Sequence, residues 1–337
     1  MRKNVSLKDI ASSVGVSVSL VSYVLNGHAK EKRVGDAVAK RIEETARKLH
    51  YHPNQIAKSL KTRKSDTIGL IVGNIYYRYT TGVAQAIEGE AKKRGVNVII
   101  GNTHESLSTF KELLQVLIHR QVDGLIIVAV ENSEREIRQL LKREIPFVLI
   151  DRSFPKTKTN FIGINNYHTA YAATKYLISR GFRRILFINY TTSFFHLLER
   201  TRGYQAALGD HGLAAAPELQ PGIRKTHTRE DIRQAIRELV PAAACDAIFF
   251  ATGNLAVAGL QIIIELGISI PQDVSVLSFD DSEAFALFSC PVTHYQQPLE
   301  EIGRSAVRLL FEDVQENGNP RQLYLDSTFV AGKSCGE

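Results

Sequence analysis

The sequence predicts two architectures in one chain: an N-terminal all-α helix-turn-helix headpiece, then an α/β core of two doubly wound parallel-sheet subdomains. Three observations carry this reading. Residues 6–26 hold two short helical patterns joined by a tight turn, the basic charge is confined to the first fifth of the chain, and apolar β-rich runs alternate with amphipathic helices from Thr67 onward. Strands separated by helix-length segments imply right-handed βαβ units and parallel sheets. Ten or more strands exceed one comfortable sheet, so two are expected.

The headpiece elements follow in order. Ser6 with Asp9 three residues later is a capping-box signature, so a helix should begin at Leu7. Leu7, Ile10, Ala11 and Val14 then recur at i, i+3, i+4 and i+7, one apolar stripe at helical period. Gly15 can adopt the left-handed conformation that ends this helix. Ser17 can cap a second helix whose inner face is Val21, Val24 and Leu25, which leaves Val18, Ser19, Ser22, Tyr23 and Asn26 outward. A short helix with a small, uncharged, hydrogen-bonding outer face suits the DNA major groove; an ordinary helical hairpin is the plain alternative. A third helix is expected from about Val34 to His50, with Val38, Ile42, Ala46 and Leu49 at helical spacing, broken by Tyr51-His52-Pro53-Asn54. The segment NQIAKSLKTRKSD that follows reads as a linker that becomes helical only when bound, being barely two turns long.

Charge separates the two parts. Residues 1–65 carry 14 Lys and Arg against 5 Asp and Glu, whereas the remainder carries 28 against 30, so a polyanion partner is expected at the N-terminal end and a near-neutral body behind it. With 337 residues, 44% of them hydrophobic, the chain can bury two or three cores. Cys245, Cys290 and Cys335 are few, odd in number and far apart, which excludes a disulfide framework and any zinc-ligand spacing; Cys245 and Cys290 read as small core residues. No apolar leader and no run of about 18 apolar residues occurs, so a cytoplasmic, nucleoid-associated protein without a membrane partner is expected.

In the core, strands are expected at IGLIV (68–72), VNVII (96–100), GLIIVAV (124–130), FVLI (147–150), RILFIN (184–189), DAIFFA (246–251) and VSVLSF (274–279). Helices are expected near 80–94, 107–120, 133–143, 167–180, 200–209 and 254–266. Ligands bind such sheets at the carboxyl ends of strands, and a cleft between subdomains is the natural place.

These residues carry a family resemblance. Leu7-Lys8-Asp9-Ile10-Ala11, Gly15-Val16-Ser17, Val21-Ser22, Leu25-Asn26, Leu49-His50-Tyr51-x-Pro53-Asn54 and Ala57-x-Ser59-Leu60 resemble the lactose-repressor (LacI/GalR) family of bacterial transcription factors. The likeness continues through IGLIV, VDGLIIV, PFVLIDR, RGFRRILFI, Arg200-x-x-Gly203-Tyr204, IPQDVSVLSFDD and Thr293-x-x-x-Gln297-Pro298, and so spans essentially the whole chain.

The resemblance implies a DNA-binding headpiece (1–50), a hinge helix and linker (51–66), and an effector-binding and dimerisation core (67–337) similar to periplasmic sugar-binding proteins, with crossovers near 165, 295 and 325. It implies a homodimer on a near-palindromic double-stranded operator, with Val18, Ser19 and Tyr23 reading bases and Leu60 wedged into the minor groove. Ser6, Ser17, Ser22, Asn26, Asn54, Lys58 and Lys61 complete the DNA-contacting set, the lysines on phosphates. In the cleft the carry-over is to Tyr79, Thr80, Asp151, Arg152, Arg200 and Asp280, since carboxylate and guanidinium hold sugar hydroxyls between them. Phe194 and His196 are placed in a variable loop.

Departures from the family pattern are a loop between Asn26 and Val34 about three residues longer than usual, Val38-Ala39 in place of Thr-Arg, Gly253-Asn254 in place of a pair bearing a carboxylate, and Ser278-Phe279-Asp280 in place of Gly-Tyr-Asp. A repressor released by a sugar-like effector is the leading expectation. A purine-type corepressor-dependent regulator and a small-molecule binder without regulatory DNA binding are the alternatives. An enzyme is not expected: no nucleophile elbow, phosphate loop or metal-ligand cluster is present, His104, His119, His168 and His196 are scattered singly, and no cofactor is called for.

Overall fold

The computed structural model describes residues 5–51, 64–288, 290–312 and 320–336. The chain divides into two compact units that meet between Ser65 and Asp66.

The first unit contains helices α1 (Leu7–Val14), α2 (Val18–Leu25) and α3 (Asp36–Lys48). Ser6 and Asp9 form a reciprocal capping box, and Gly15 ends α1 in the left-handed region at φ 76, its N–H donating to Ala11 O. Arg41 on α3 reaches back to donate to Val14 O at 3.1 Å, which ties the turn between α1 and α2 to the third helix. Ile10, Ala11, Val14, Val21, Val24, Ile42 and Ala46 are buried together as the core of this unit. The third helix is shorter than its apolar pattern: Gly35 and Leu49 are its caps, and His50 already has φ 51. Val34 and Leu49 still pack on the core from outside the helix, so periodicity overran the helical backbone at both ends.

The second unit contains two six-stranded sheets. The first lobe runs β1 (Thr67–Val72), α4 (Arg78–Lys93), β2 (Asn97–Asn102), α5 (Leu107–His119), β3 (Gly124–Ile127), α6 (Glu134–Lys142), β4 (Phe147–Ile150) and β5 (Phe161–Ile164). The second runs α7 (Asn166–Ser179), β6 (Ile185–Tyr190), α8 (Phe195–Asp210), β7 (Gly222–Ile223), α9 (Thr228–Leu239), β8 (Ala247–Phe250), α10 (Gly253–Glu265), β9 (Ser275–Phe279) and β10 (Thr293–Gln296). The chain then returns to the first lobe for α11 (Leu299–Phe311) and β11 (Gln322–Leu325), and finishes in the second with β12 (Thr328–Val330). Strand orders are β11-β5-β4-β3-β1-β2 and β12-β10-β9-β8-β6-β7. Pairing is parallel throughout the first sheet, and in the second β12 joins β10 antiparallel. The chain therefore crosses between lobes three times, after β5, after β10 and after β11.

Two expected elements differ in extent. The strand expected over 124–130 stops at Ile127, although Val128, Ala129 and Val130 remain buried, because burial rather than strand geometry extended the apolar run. The helix expected at 200–209 begins at Phe195. Among the described residues no single helix is long and apolar enough to cross a membrane.

Helix α8 packs on α7 through Gly203, where an added Cβ would lie 2.3 Å from Tyr167 O and 2.9 Å from Tyr171 N. Both obstacles are backbone and cannot swing aside. Gly203→Ala is expected to destabilise the core by about 1–3 kcal/mol through overpacking. Gly209→Ala, six residues along the same helix with open space at its Cβ, is expected to be neutral or stabilising by up to about 1 kcal/mol. Urea denaturation of the two variants checks the contrast.

Candidate functional site

The headpiece presents an outer face on α2. Ser17 caps the helix, its hydroxyl accepting from Leu20 N at 3.2 Å, which fixes the N-terminal turn that carries Val18 and Ser19 outward. Val18 and Tyr23 are 43% and 38% exposed, and Ser19 is exposed beside them. Lys32 lies over the Tyr23 ring at 5.9 Å. Two of the expected contact residues are engaged with each other: Asn26 caps the helix end and donates its amide to Ser22 O at 2.7 Å and Ser22 Oγ at 3.2 Å. Ser6 is likewise engaged, its hydroxyl donating to Asp9 at 2.7 Å. Asn54, Lys58, Leu60 and Lys61, and the hinge they belong to, lie outside the described residues. Val38 and Ala39 pack partly buried against the headpiece core.

The core places its site between the lobes, in a cavity of about 370 Å³. The cavity brings together all six expected residues, Tyr79, Thr80, Asp151, Arg152, Arg200 and Asp280. Topology explains this. Asp151 and Asp280 follow the last residues of β4 and β9, one from each sheet, and both are held in the left-handed region, at φ 64 and φ 75. The Arg152 amide closes a tight turn around Asp151 by donating to Ile150 O at 2.6 Å. A non-glycine residue in this region is strained, and such strain gathers where a side chain must be aimed. Tyr79 and Thr80 stand on the first turn of α4.

Arg200 is 2% exposed and lies flat on Phe279, its guanidinium 3.5 Å from the ring centroid. It donates to Asn166 Oδ1 at 2.8 Å and Ala251 O at 2.6 Å, and faces Asp280 at 3.6 Å. Gln297 donates to the other oxygen of Asp280 at 2.6 Å. In the first lobe Arg152 forks onto Glu105 at 2.7 and 2.8 Å, donates to Ala129 O, and covers Phe194 at 4.2 Å. Burial pushes the Asp151 carboxyl up, against the opposing pull of Arg152 and Arg200.

Among the described residues lining the cleft, four polar atoms are buried without a hydrogen-bond partner: Tyr79 Oη, His196 Nδ1, Arg78 Nε and Arg152 Nε. Burial, with Asp151 and Asp280 nearby, holds the Tyr79 hydroxyl well above its ordinary value, so it keeps its proton. Burial and then the cations Arg200, Arg152 and Lys225 hold His196 well below its ordinary value, so the imidazole is neutral. Phe194 and His196 belong to the start of α8 rather than to a loop, as its N-cap and first turn.

Glu131, which sequence reasoning passed over, bridges the lobes. It leaves the first lobe after β3 and accepts from Ser193 N at 2.6 Å, Ser193 Oγ at 2.8 Å and Thr192 Oγ1 at 2.9 Å, while Lys225 donates to its second oxygen at 3.0 Å. Burial alone would raise this carboxyl; the Ser193, Lys225 and Thr192 donors outweigh it and hold it down to about 2. Glu105 was also missed, being legible only as the partner of the arginine it holds, and Gln297, quoted in a family motif, was given no place in the cleft. Tyr77 and Tyr190 add aromatic lining from the two lobes.

The chain matches two family models: the lacI family of bacterial regulatory proteins over residues 6–54, and a periplasmic binding protein-like domain over residues 174–335. It is 30% identical over 321 residues to the HTH-type transcriptional repressor PurR of Aliivibrio fischeri strain MJ11, covering 95% of this chain and 94% of that protein. It is 32% identical over 332 residues to the ribose operon repressor of Haemophilus influenzae, covering 98% of each. A solved complex of the transcriptional regulator CelR with cellobiose superposes with a TM-score of 0.72 at 26% identity, covering 98% of this chain and all of that one. With the headpiece, the two-lobed core and this full-length likeness together, the chain belongs to the lacI family of bacterial regulatory proteins, which are DNA-binding transcription regulators and not enzymes.

Proposed function

We propose that the protein is a repressor that binds a near-palindromic operator as a homodimer and is released by a sugar-like effector held between the lobes of its core. The observation that carries the effector reading is the set of unpartnered buried atoms, Tyr79 Oη, His196 Nδ1, Arg78 Nε and Arg152 Nε, gathered about Asp151, Asp280 and Arg200. A polyol hydroxyl both donates and accepts, so it satisfies a phenol, an imidazole, a carboxylate and a guanidinium alike. Phe194 has Arg152 and Lys225 over its ring at 4.2 and 4.4 Å, and Phe279 is covered by Arg200. Tyr77 and Tyr190 also line the cavity, so it is the polar set that favours a sugar; the names of the ribose operon repressor and of the cellobiose complex agree with it, while PurR is a relative of similar identity and coverage.

For DNA, the support is the exposed Val18, Ser19 and Tyr23 on a short capped helix within the basic first fifth of the chain. Two-fold symmetric half-sites require two copies. The edge strand β2 exposes Ile99 and Ile100, one on each side of the sheet, and α5 exposes Val116, apolar surface that a second copy would cover.

Footprinting on the protein's own promoter region with a salt series is expected to show a protected near-palindrome whose occupancy falls steeply as salt rises; protection without a preferred site would remove the operator reading. Tyr23→Ala is expected to weaken operator binding by about 1–3 kcal/mol and random-DNA binding hardly at all. Equal losses on both would take Tyr23 out of the base-reading set. For Glu131 the sign follows from its depressed carboxyl: its contribution to stability is full above the ordinary carboxylate range and lost as pH falls toward about 2. Glu131→Gln is expected to lower the urea midpoint of the core most near neutral pH, with the two curves converging on acidification.

A further inference from the structure

Charge in the cleft is internally matched. Among the described residues lining the cavity are four cations, and each lies near a carboxylate: Arg78 at 3.5 Å from Asp281, Arg152 at 2.7 Å from Glu105, Arg200 at 3.6 Å from Asp280 and Lys225 at 3.0 Å from Glu131. The Arg152 pair differs from the others in being bidentate, with Nη1 and Nη2 both donating to one carboxylate while Nε has no hydrogen-bond partner.

The backbone builds the place for that carboxylate. Glu105 has φ 60, and its N–H donates to Gly73 O at 3.0 Å and to Thr103 Oγ1 at 3.3 Å. Thr103 is fully buried and donates in turn to Val72 O and Gly73 O at 3.0 and 3.2 Å. At Gly73 a Cβ would fall 2.4 Å from Glu105 Oε1 and 3.4 Å from Arg152 Nη1. The ion pair thus occupies the space a side chain at the end of β1 would take, and the glycine is what admits it.

We propose that Glu105 is a resident counter-anion, which occupies Arg152 and restricts the cleft to uncharged ligands, excluding phosphorylated and carboxylated ones. The inference rests on the reading of the cleft as the effector site and names the charge class of that effector. The N-terminal turns of α4, α8 and α10 border the cavity and on their own would favour an anion. Glu105, Asp151, Asp280 and Asp281 offset that field, and a phosphate brought against them meets like charge at short range in a poorly solvated site. With Glu105 neutralised, Arg152 and the helix termini would form an anion site.

The test uses the full chain and needs no identified effector. Thermal denaturation is followed with inorganic phosphate or sulfate against chloride at equal ionic strength. Binding of matched pairs, ribose with ribose 5-phosphate and glucose with glucose 6-phosphate, is measured alongside. Phosphate stabilises any folded chain over chloride by surface exclusion, so wild type is expected to gain no more from it than the Glu105→Gln/Arg152→Gln double variant, and to bind no ester more tightly than its parent sugar. Glu105→Gln, which keeps the side chain's size, is expected to acquire phosphate-specific stabilisation. Where a pair binds, its ester-to-sugar affinity ratio should rise about tenfold or more. Adding Arg152→Gln to that variant should abolish the gain. A wild type that binds an ester more tightly than its sugar overturns the proposal even if the variants fail to fold. A folded Glu105→Gln with unchanged selectivity overturns it too and leaves Glu105 a purely structural fastening. The effector reading fails separately, by an operator affinity that no small molecule alters.

Discussion

The core is organised around one buried cation. Arg200 has almost no exposed surface, and a guanidinium taken out of water must be repaid by well-placed acceptors or by neighbouring charge. Its acceptors come from the start of α7 and the end of β8, its counter-charge from the residue after β9, and its platform from the last residue of β9 itself. Three elements of the second lobe, α7, β8 and β9, are therefore fixed to one side chain, and Asp280 is aimed into the cleft as a result. Burial lowers the proton affinity of Arg200, while Asp280 and Asp151 restore part of it. Gly203, one helical turn further along α8, lets α8 approach α7 closely enough for Asn166 to reach the guanidinium.

The sequence showed the plan of the molecule more clearly than its edges. Local signals with a direct chemical cause held: the Ser6–Asp9 box, the left-handed Gly15 and the Ser17 cap are all present. Short strands escaped notice. Phe161–Ile164 and Gln322–Leu325 are four residues each, and what makes them strands is pairing with each other across about 160 positions of chain. Helices α9 and α11 were passed over although each carries an apolar stripe at helical spacing, Ile232, Ala235 and Ile236 in one and Ile302, Ala306 and Leu309 in the other.

The cleft divides in the same way. Asp151, Arg152, Arg200 and Asp280 were readable because they stand at strand ends or in a family motif. Glu105 and Glu131 were not, and Gln297 stood in a family motif without a role, because their meaning is relational. Each is an ordinary polar residue until the fold brings it to a partner 17 to 94 positions away, as Gln297 is brought to Asp280 and Glu131 to Lys225. Nothing in local composition separates such residues from solvated surface. The charge contrast between the two units was visible from counting alone. It leaves the basic end to meet a polyanion while the core matches its charges inside the cleft.

The triple crossing between lobes has a consequence for how the protein is made. The first lobe begins at Thr67 but lacks α11 and its edge strand β11 until residue 325 has been synthesised. Helix α11 lies against α4 so closely that Gly303 leaves no room for a methyl group beside Ala86 and the backbone of Val83. On the ribosome, then, the lobe translated first waits with one helix uncovered while the entire second lobe emerges. Domains that fold as contiguous units from the N-terminus escape this exposure. Here the interval between β5 and α11 is a period of unburied apolar surface, and its length is set by the speed of translation rather than by the speed of folding.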